Sequence, residues 1–158
     1  FYAAFPHIAA MHPIASHDDP ARRIATVTLD DASIIRRSLE IEAERETAIR
    51  DLMAVGAITP ASGVTGPFSL LLSLREQRLN FRFKGPETTE VITLPLAPFR
   101  GVIKDYFMLC ESYYAALAHA GAHKVQTLDM ARRATHNEGA ELLAREIGRK
   151  AAIDEATA

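Results

Sequence analysis

FSLLLSLREQRLNFRFKGP, residues 68–86, reads as two strands facing each other across a tight connection. Phe68, Leu70, Leu72 and Leu74 alternate with Ser69, Ser73 and Arg75, so an extended chain here is apolar on one side and polar on the other. Arg75, Glu76 and Gln77 fall where a short hairpin connection belongs. Beyond them Leu79, Phe81 and Phe83 alternate with Arg78, Asn80, Arg82 and Lys84. Gly85-Pro86 supplies a second turn, and residues 90–96 a third strand that Pro95 confines to an edge or terminates. The spacing therefore predicts an antiparallel meander over 68–96 with one buried face.

On the N-terminal side, Ile24 to Leu29 alternates Ala25, Val27 and Leu29 with Thr26 and Thr28, which predicts another strand. Ser38 then precedes a run rich in Glu, Ala, Arg and Leu that ends at Val55 before Gly56. An N-capping hydroxyl and a C-terminal glycine bracket a helix over about 39–55. Its first turns hold Glu40, Glu42, Glu44 and Glu46, where the helix dipole favours negative charge. On the C-terminal side, Pro98 opens a helix that runs to about Ala120, before Gly121. Its apolar arc holds Phe99, Val102, Ile103, Tyr106, Leu109, Cys110, Tyr113 and Leu117. A third helical stretch covers about 126–148, with Asn137 or Gly139 as expected interruptions.

These elements predict an α+β fold: a small, mainly antiparallel sheet, made of the N-terminal strand and the three-stranded meander, covered mostly on one face by three helices. Residues 1–22 carry three prolines, three histidines and no period, and read as a mobile arm before a single domain over 23–158. With 48% hydrophobic and 24% charged residues, the composition excludes collagen-like, low-complexity and disordered classes. No apolar run reaches the roughly 18 residues of a membrane-spanning helix. A net charge of −2 argues against nucleic acid as a partner. One cysteine forms no internal disulfide, which fits a reducing, cytoplasmic setting.

Two groups of residues could carry chemistry. Arg45 interrupts the apolar stripe Ile41, Ala48, Leu52 and Val55 of the first helix, so it either pairs with a carboxylate such as Glu42 or binds an anion. Asp129, Arg132, Arg133 and His136 recur at i, i+3, i+4 and i+7, which gathers an acid, two cations and an imidazole on one side of a helix. That grouping serves structural ion pairing first, and anion binding or proton transfer second. Together with Lys104 and Glu138, these residues define a candidate anion pocket between the three helices. No catalytic residue, metal set or cofactor motif is assigned. Arg75, Arg78, Arg82 and Lys84 make a basic outer face on the hairpin, without aromatic residues between them.

Three stretches carry a resemblance: RIATVTLDDASIIRRS (Arg23 to Ser38, followed by Glu42 to Arg45), LAPFRGVIKDYFMLCESYYAAL (Leu96 to Leu117) and LDMARRATHNEGAELL (Leu128 to Leu143). The chain resembles, over about 23–155, the bacterial uncharacterised protein family number two-six-two of the UPF series. The resemblance implies a bacterial domain and no assigned activity. Relative to that family, Ala97 stands where a threonine would cap the helix opened by Pro98, and an apolar segment beyond Asp154 to Ala158 is expected but missing. A truncated end would leave an apolar patch open to self-association as a homo-oligomer.

The function expected from these features is that of a small cytoplasmic accessory or regulatory protein acting by binding, with a protein partner or a small anion as ligand and no membrane. The alternative is an enzyme or ligand-binding domain that takes a phosphorylated or carboxylate metabolite through the Arg/His/Asp cluster.

Overall fold

The computed structural model describes residues 19–30, 32, 38–148, 150–153 and 157. In chain order the elements are β1 (Ile24–Leu29), α1 (Leu39–Val55), β2 (Ile58–Pro60), β3 (Phe68–Arg75), β4 (Arg78–Lys84), β5 (Thr89–Pro95), a 3-10 turn at Ala97–Phe99, α2 (Arg100–His119), α3 (Ala122–Ile147) and β6 (Ala151–Ile153). The expected arm lies outside the described residues as far as position 18. Residues 19–22 form a turn closed by Arg22 N–H to Asp19 O at 3.0 Å, and Gly66 N–H donates to Ala21 O at 2.6 Å.

The meander forms as the alternation requires. Arg75 faces Arg78 across a two-residue turn, and β4 pairs with β5 from Arg78–Pro95 to Lys84–Thr89. Glu76 and Gln77 both take positive φ, 49° and 60°, the left-handed geometry that matches the twist of a two-residue hairpin. β1 joins on the far side, parallel to β3, so the four-stranded sheet runs β1-β3-β4-β5 and is antiparallel in two of its three pairings.

Registers then fix which side chains share a face. Leu70 lies between Val27 and Phe83, while Leu72 lies between Leu29 and Phe81, which in turn faces Ile92. This inner face joins Ile24, Ile58, Phe99, Ile147 and Ala151 in one core. Phe68, fully buried, meets Phe83 edge to face at 6.0 Å between ring centroids. The outer face carries the rows Thr26–Ser69–Lys84–Thr89 and Thr28–Leu71–Arg82–Val91, and none of these residues is buried.

Two short strands escaped the sequence pattern. β2 pairs antiparallel with β6, Ile58 facing Ile153, and Ala57 bridges Arg23, so this two-stranded sheet is stitched to the start of β1. Three residues give too short a run for a period to show.

α1 and α3 line the inner side through Leu52, Leu142, Leu143 and Ile147, while α2, expected to cover the sheet as well, packs on α3. Ser38 caps α1, its hydroxyl accepting from Ile41 N–H at 3.3 Å. The inward side of α1 holds buried Ile41 with half-buried Ile49, Leu52 and Met53, rather than Ala48 and Val55, which are exposed. α2 and α3 form an antiparallel hairpin across Ala120 and Gly121. The interruption expected at Asn137 or Gly139 does not occur: α3 is continuous over 26 residues. A Cβ at Gly139 would lie 3.6 Å from Val102, an ordinary van der Waals contact, so the position sits within a regular helix packed against α2. Ala97 and Pro98 lie within the 3-10 turn and α2 begins at Arg100, so the positions before the two elements are Leu96 and Phe99 and neither is capped by a side chain.

The hairpin turn is a place to gain stability, because Glu76 and Gln77 carry Cβ atoms in a region that favours Asn and Gly. Replacing Glu76-Gln77 with Asn-Gly is expected to raise unfolding free energy by about 1–2 kcal/mol, seen as a higher denaturant midpoint at unchanged m-value.

Candidate functional site

The polar cluster lies where α1 meets the α2–α3 hairpin. On α2, Tyr106, Cys110 and Tyr113 follow the helical period, with Tyr114 one position further round. On α3, Asp129, Arg132, Arg133 and His136 do the same. A tyrosine ring buries well, but its hydroxyl must find a partner. That partner is Glu44 of α1.

The Glu44 carboxylate accepts from three side chains. Arg132 Nη1 donates to its two oxygens at 2.8 and 2.7 Å, Tyr114 OH donates at 2.6 Å and Tyr106 OH at 3.3 Å. Arg132 Nη2 donates to Asp129 at 2.9 Å, and Arg133 Nε pairs with the other oxygen of Asp129 at 2.9 Å. The Arg132 guanidinium also stands 5.0 Å from the centroid of the Tyr113 ring. Its side chain is 16% exposed, and Nε is buried without a hydrogen-bond partner among the described residues. Two carboxylates thus meet two guanidinium groups, and the cluster is formally neutral.

The local field follows from these contacts. Burial alone would weaken the charge on Arg132, but the hydrogen bond to Asp129 and the charge of Glu44 outweigh it and hold its pKa above the ordinary value. The hydrogen bond from Arg132 holds the Asp129 carboxyl below the usual range. Burial pushes the Tyr106 phenol well above its ordinary value, with Cys110 and Glu44 adding to the effect. Burial and the Glu44 bond push Tyr114 up to about 12. Cys110 is fully buried, and burial raises its thiol pKa, which leaves it packing rather than reacting.

Of the seven residues proposed as an anion pocket, the structure gathers four. Asp129, Arg132 and Arg133 are ion-paired together, and the exposed His136 ring lies 6.1 Å from that of Tyr106. Arg45 pairs with Glu42 on its own helix. Lys104 and Glu138 are exposed on the outward sides of α2 and α3. Sequence spacing missed Glu44, Tyr106, Tyr113 and Tyr114 as members. The available signal was a pair of phenols, Tyr106 and Tyr113, on the apolar arc of α2, which demanded a polar neighbour on another element.

Chemically, the cluster acts as a clasp. Both amino groups of Arg132 are taken up by carboxylates of the same chain. Among the described residues no group of three His, Cys, Asp or Glu side chains is placed to hold a metal ion. None of the described helices is long and apolar enough to cross a membrane.

A mixed four-stranded sheet lined on one face by α1 and α3, with α2 packed on α3 and all three helices joined at Glu44, defines a small α+β protein. The chain belongs to the bacterial Uncharacterised protein family (UPF0262), whose model matches residues 21–158. It is similar to the UPF0262 protein of Nitrobacter winogradskyi, 41% identical across 90% of this chain and 87% of the relative. The UPF0262 protein of Xanthobacter autotrophicus is 43% identical across 85% of this chain and 84% of its own. That of Azorhizobium caulinodans is 42% identical across 90% and 91% respectively. No solved structure matches the chain.

Two measurements check the clasp. Arg132→Met leaves Glu44 and Asp129 without their shared counter-charge and is expected to cost about 1–3 kcal/mol. Combined with Glu44→Gln in a double-mutant cycle, it should show a coupling of about 0.5–3 kcal/mol. Tyr114 supplies the second test. Its folded pKa of about 12 lies above the ~10 of an unfolded tyrosine, so its contribution is intact below that lower value and is lost as pH rises toward the higher one. Unfolding curves across that window should lose less stability in Tyr114→Phe than in the parent protein.

Proposed function

We propose that this protein acts by binding, as an accessory or regulatory module of the cytoplasm, and that the open face of its sheet receives an acidic polypeptide. One observation carries this reading. The outer face presents Arg78, Arg82 and Lys84, exposed and without a salt-bridge partner among the described residues, and no residue of the face itself is acidic. Carboxylates stand only at its margins: Asp30, bound to Arg75 at 2.6 Å, and Glu76 and Glu87 in the turns.

The spacing suits an extended ligand. Alternate residues of a strand project to one face about 7 Å apart, so Arg82 and Lys84 match the repeat of alternate acidic side chains. Leu71 and Val91 flank Arg82 and supply apolar contact. The face has no aromatic platform on which bases could stack, which favours a polypeptide over single-stranded nucleic acid. The helical cluster supports the same reading from the other side, since its cations already serve the protein's own carboxylates.

Poly-L-glutamate is the probe. It should bind saturably at low salt and be released at high salt, as exposed charges are screened beyond a Debye length of about 10 Å at 0.1 M. Arg82→Glu with Lys84→Glu should weaken binding at least about tenfold, with an unchanged melting temperature. Lys104→Glu, which removes an equally exposed cation on α2, should leave it intact. Equal binding by the double variant and the parent overturns the proposal.

A further inference from the structure

The acidic segment needs a place to lie, and β5 offers one. It is a terminal strand of the sheet and, among the described residues, pairs only with β4. Lys150 Nζ donates to Thr93 O at 2.7 Å, so the main chain of Thr93 faces away from β4. The two-residue period of a strand turns the main-chain groups of Thr89 and Val91 the same way. Val91 is 51% exposed. The opposite edge is less free: the start of β1 is occupied by Gly56–Ile58, through Ile24 N–H to Gly56 O at 2.9 Å and Ile58 N–H to Arg22 O at 2.8 Å.

Charge favours the same edge. Arg82 lies directly across from Val91, and Lys84 from Thr89, on the outer face. At the other end Arg145 and Lys150 line a pocket of about 450 Å³ with Thr93, Leu94 and Pro95. The carboxylates nearest this edge among the described residues are Glu87 in the turn before β5, Glu90, across from Phe83 on the inner side, and Glu146 in that pocket, so four cations outnumber three acids. Pro95 has no N–H to offer and ends the usable edge.

Resting on the reading above, we infer that the acidic polypeptide adds to β5 as a fifth strand alongside Thr89–Thr93, its main chain paired to the free edge and its alternate carboxylates turned toward Arg82 and Lys84. Main-chain hydrogen bonds supply affinity in this mode, and side-chain charge supplies selection. Lys150, which now occupies Thr93 O, becomes available to the arriving chain.

The test uses a synthetic peptide of alternating Glu and Val and the full chain. Val91→Pro removes an N–H that the β4 ladder does not use, so the fold is retained while peptide binding falls at least about tenfold. The same peptide N-methylated on its edge-facing amides keeps its charge and should also bind at least about tenfold more weakly to the unaltered protein, which guards against misfolding of the variant. On binding, the amides of Val91 and Thr93 should exchange with solvent more slowly. If Val91→Pro and the N-methylated peptide leave affinity unchanged while Arg82→Glu with Lys84→Glu abolishes it, the partner lies flat on the face: the strand inference falls and the proposed function stands. If the double charge variant binds poly-L-glutamate unchanged, the proposed function falls instead. A concentration-dependent dimer that Val91→Pro dissociates without peptide assigns the edge to a second copy of this chain and overturns the inference.

Discussion

Phe68, Leu70, Leu72 and Leu74 project from one side of β3 and Ser69, Leu71, Ser73 and Arg75 from the other, because a period of two leaves an extended chain no choice. Every neighbouring strand repeats that division in register, so the sheet has one face that must be taken out of water and one that need not be. α1, α3, the β2–β6 ribbon and the 3-10 turn serve the first face, and α2 packs on α3. Phe68 and Phe83, with Ile24, Ile58, Ile92 and Ile147 around them, form the resulting interior. Among the described residues nothing covers the second face, and its hydroxyls and cations suit that exposure.

Covering a sheet with helices leaves the helices to be held to one another. α2 and α3 pack against each other along the hairpin, with Gly139 facing Val102. α1 has only Ile41 fully buried and reaches the hairpin through Glu44, where apolar contact gives way to charge. A carboxylate taken partly out of water is costly unless its oxygens are saturated, and Glu44 meets that demand with Arg132, Tyr106 and Tyr114. The directional bonds also fix the rotation of α1 against the hairpin, a registry role of the kind that polar groups at packed interfaces can play.

Much of this was legible in the residues. β1, the meander and α1 follow from alternation, turn residues and caps, all of which act within a few positions along the chain. The parallel direction of β1 against β3 does not, because the hydrophobic pattern of a strand is the same whichever way its neighbour runs. β2 and β6 were invisible for a related reason: three residues apiece, each meaningless without the other. Gly139 misled in the opposite sense, since the modest cost of a glycine inside a helix does not interrupt one that packs along its length. In the site, helical spacing placed Asp129, Arg132, Arg133 and His136 on one side of α3 but says nothing across helices. Glu44 therefore stayed hidden among four glutamates of the first turns, three of which do no more than face water or pair along α1.

The β2–β6 ribbon also bears on the order in which the chain acquires its structure. Ile58 faces Ile153, and Thr157 bonds both the N–H and the carbonyl of Ala57, so contacts nearly a hundred positions apart complete the core. The meander and the α2–α3 hairpin are built from short-range contacts and can close early, whereas pairings so distant are slow to form. During synthesis the apolar surface around Ile24 and Ile58 stays uncovered until Ala151–Ile153 has emerged, and that interval, rather than the stability of the finished molecule, is when this protein is most open to aggregation or to the attention of a chaperone.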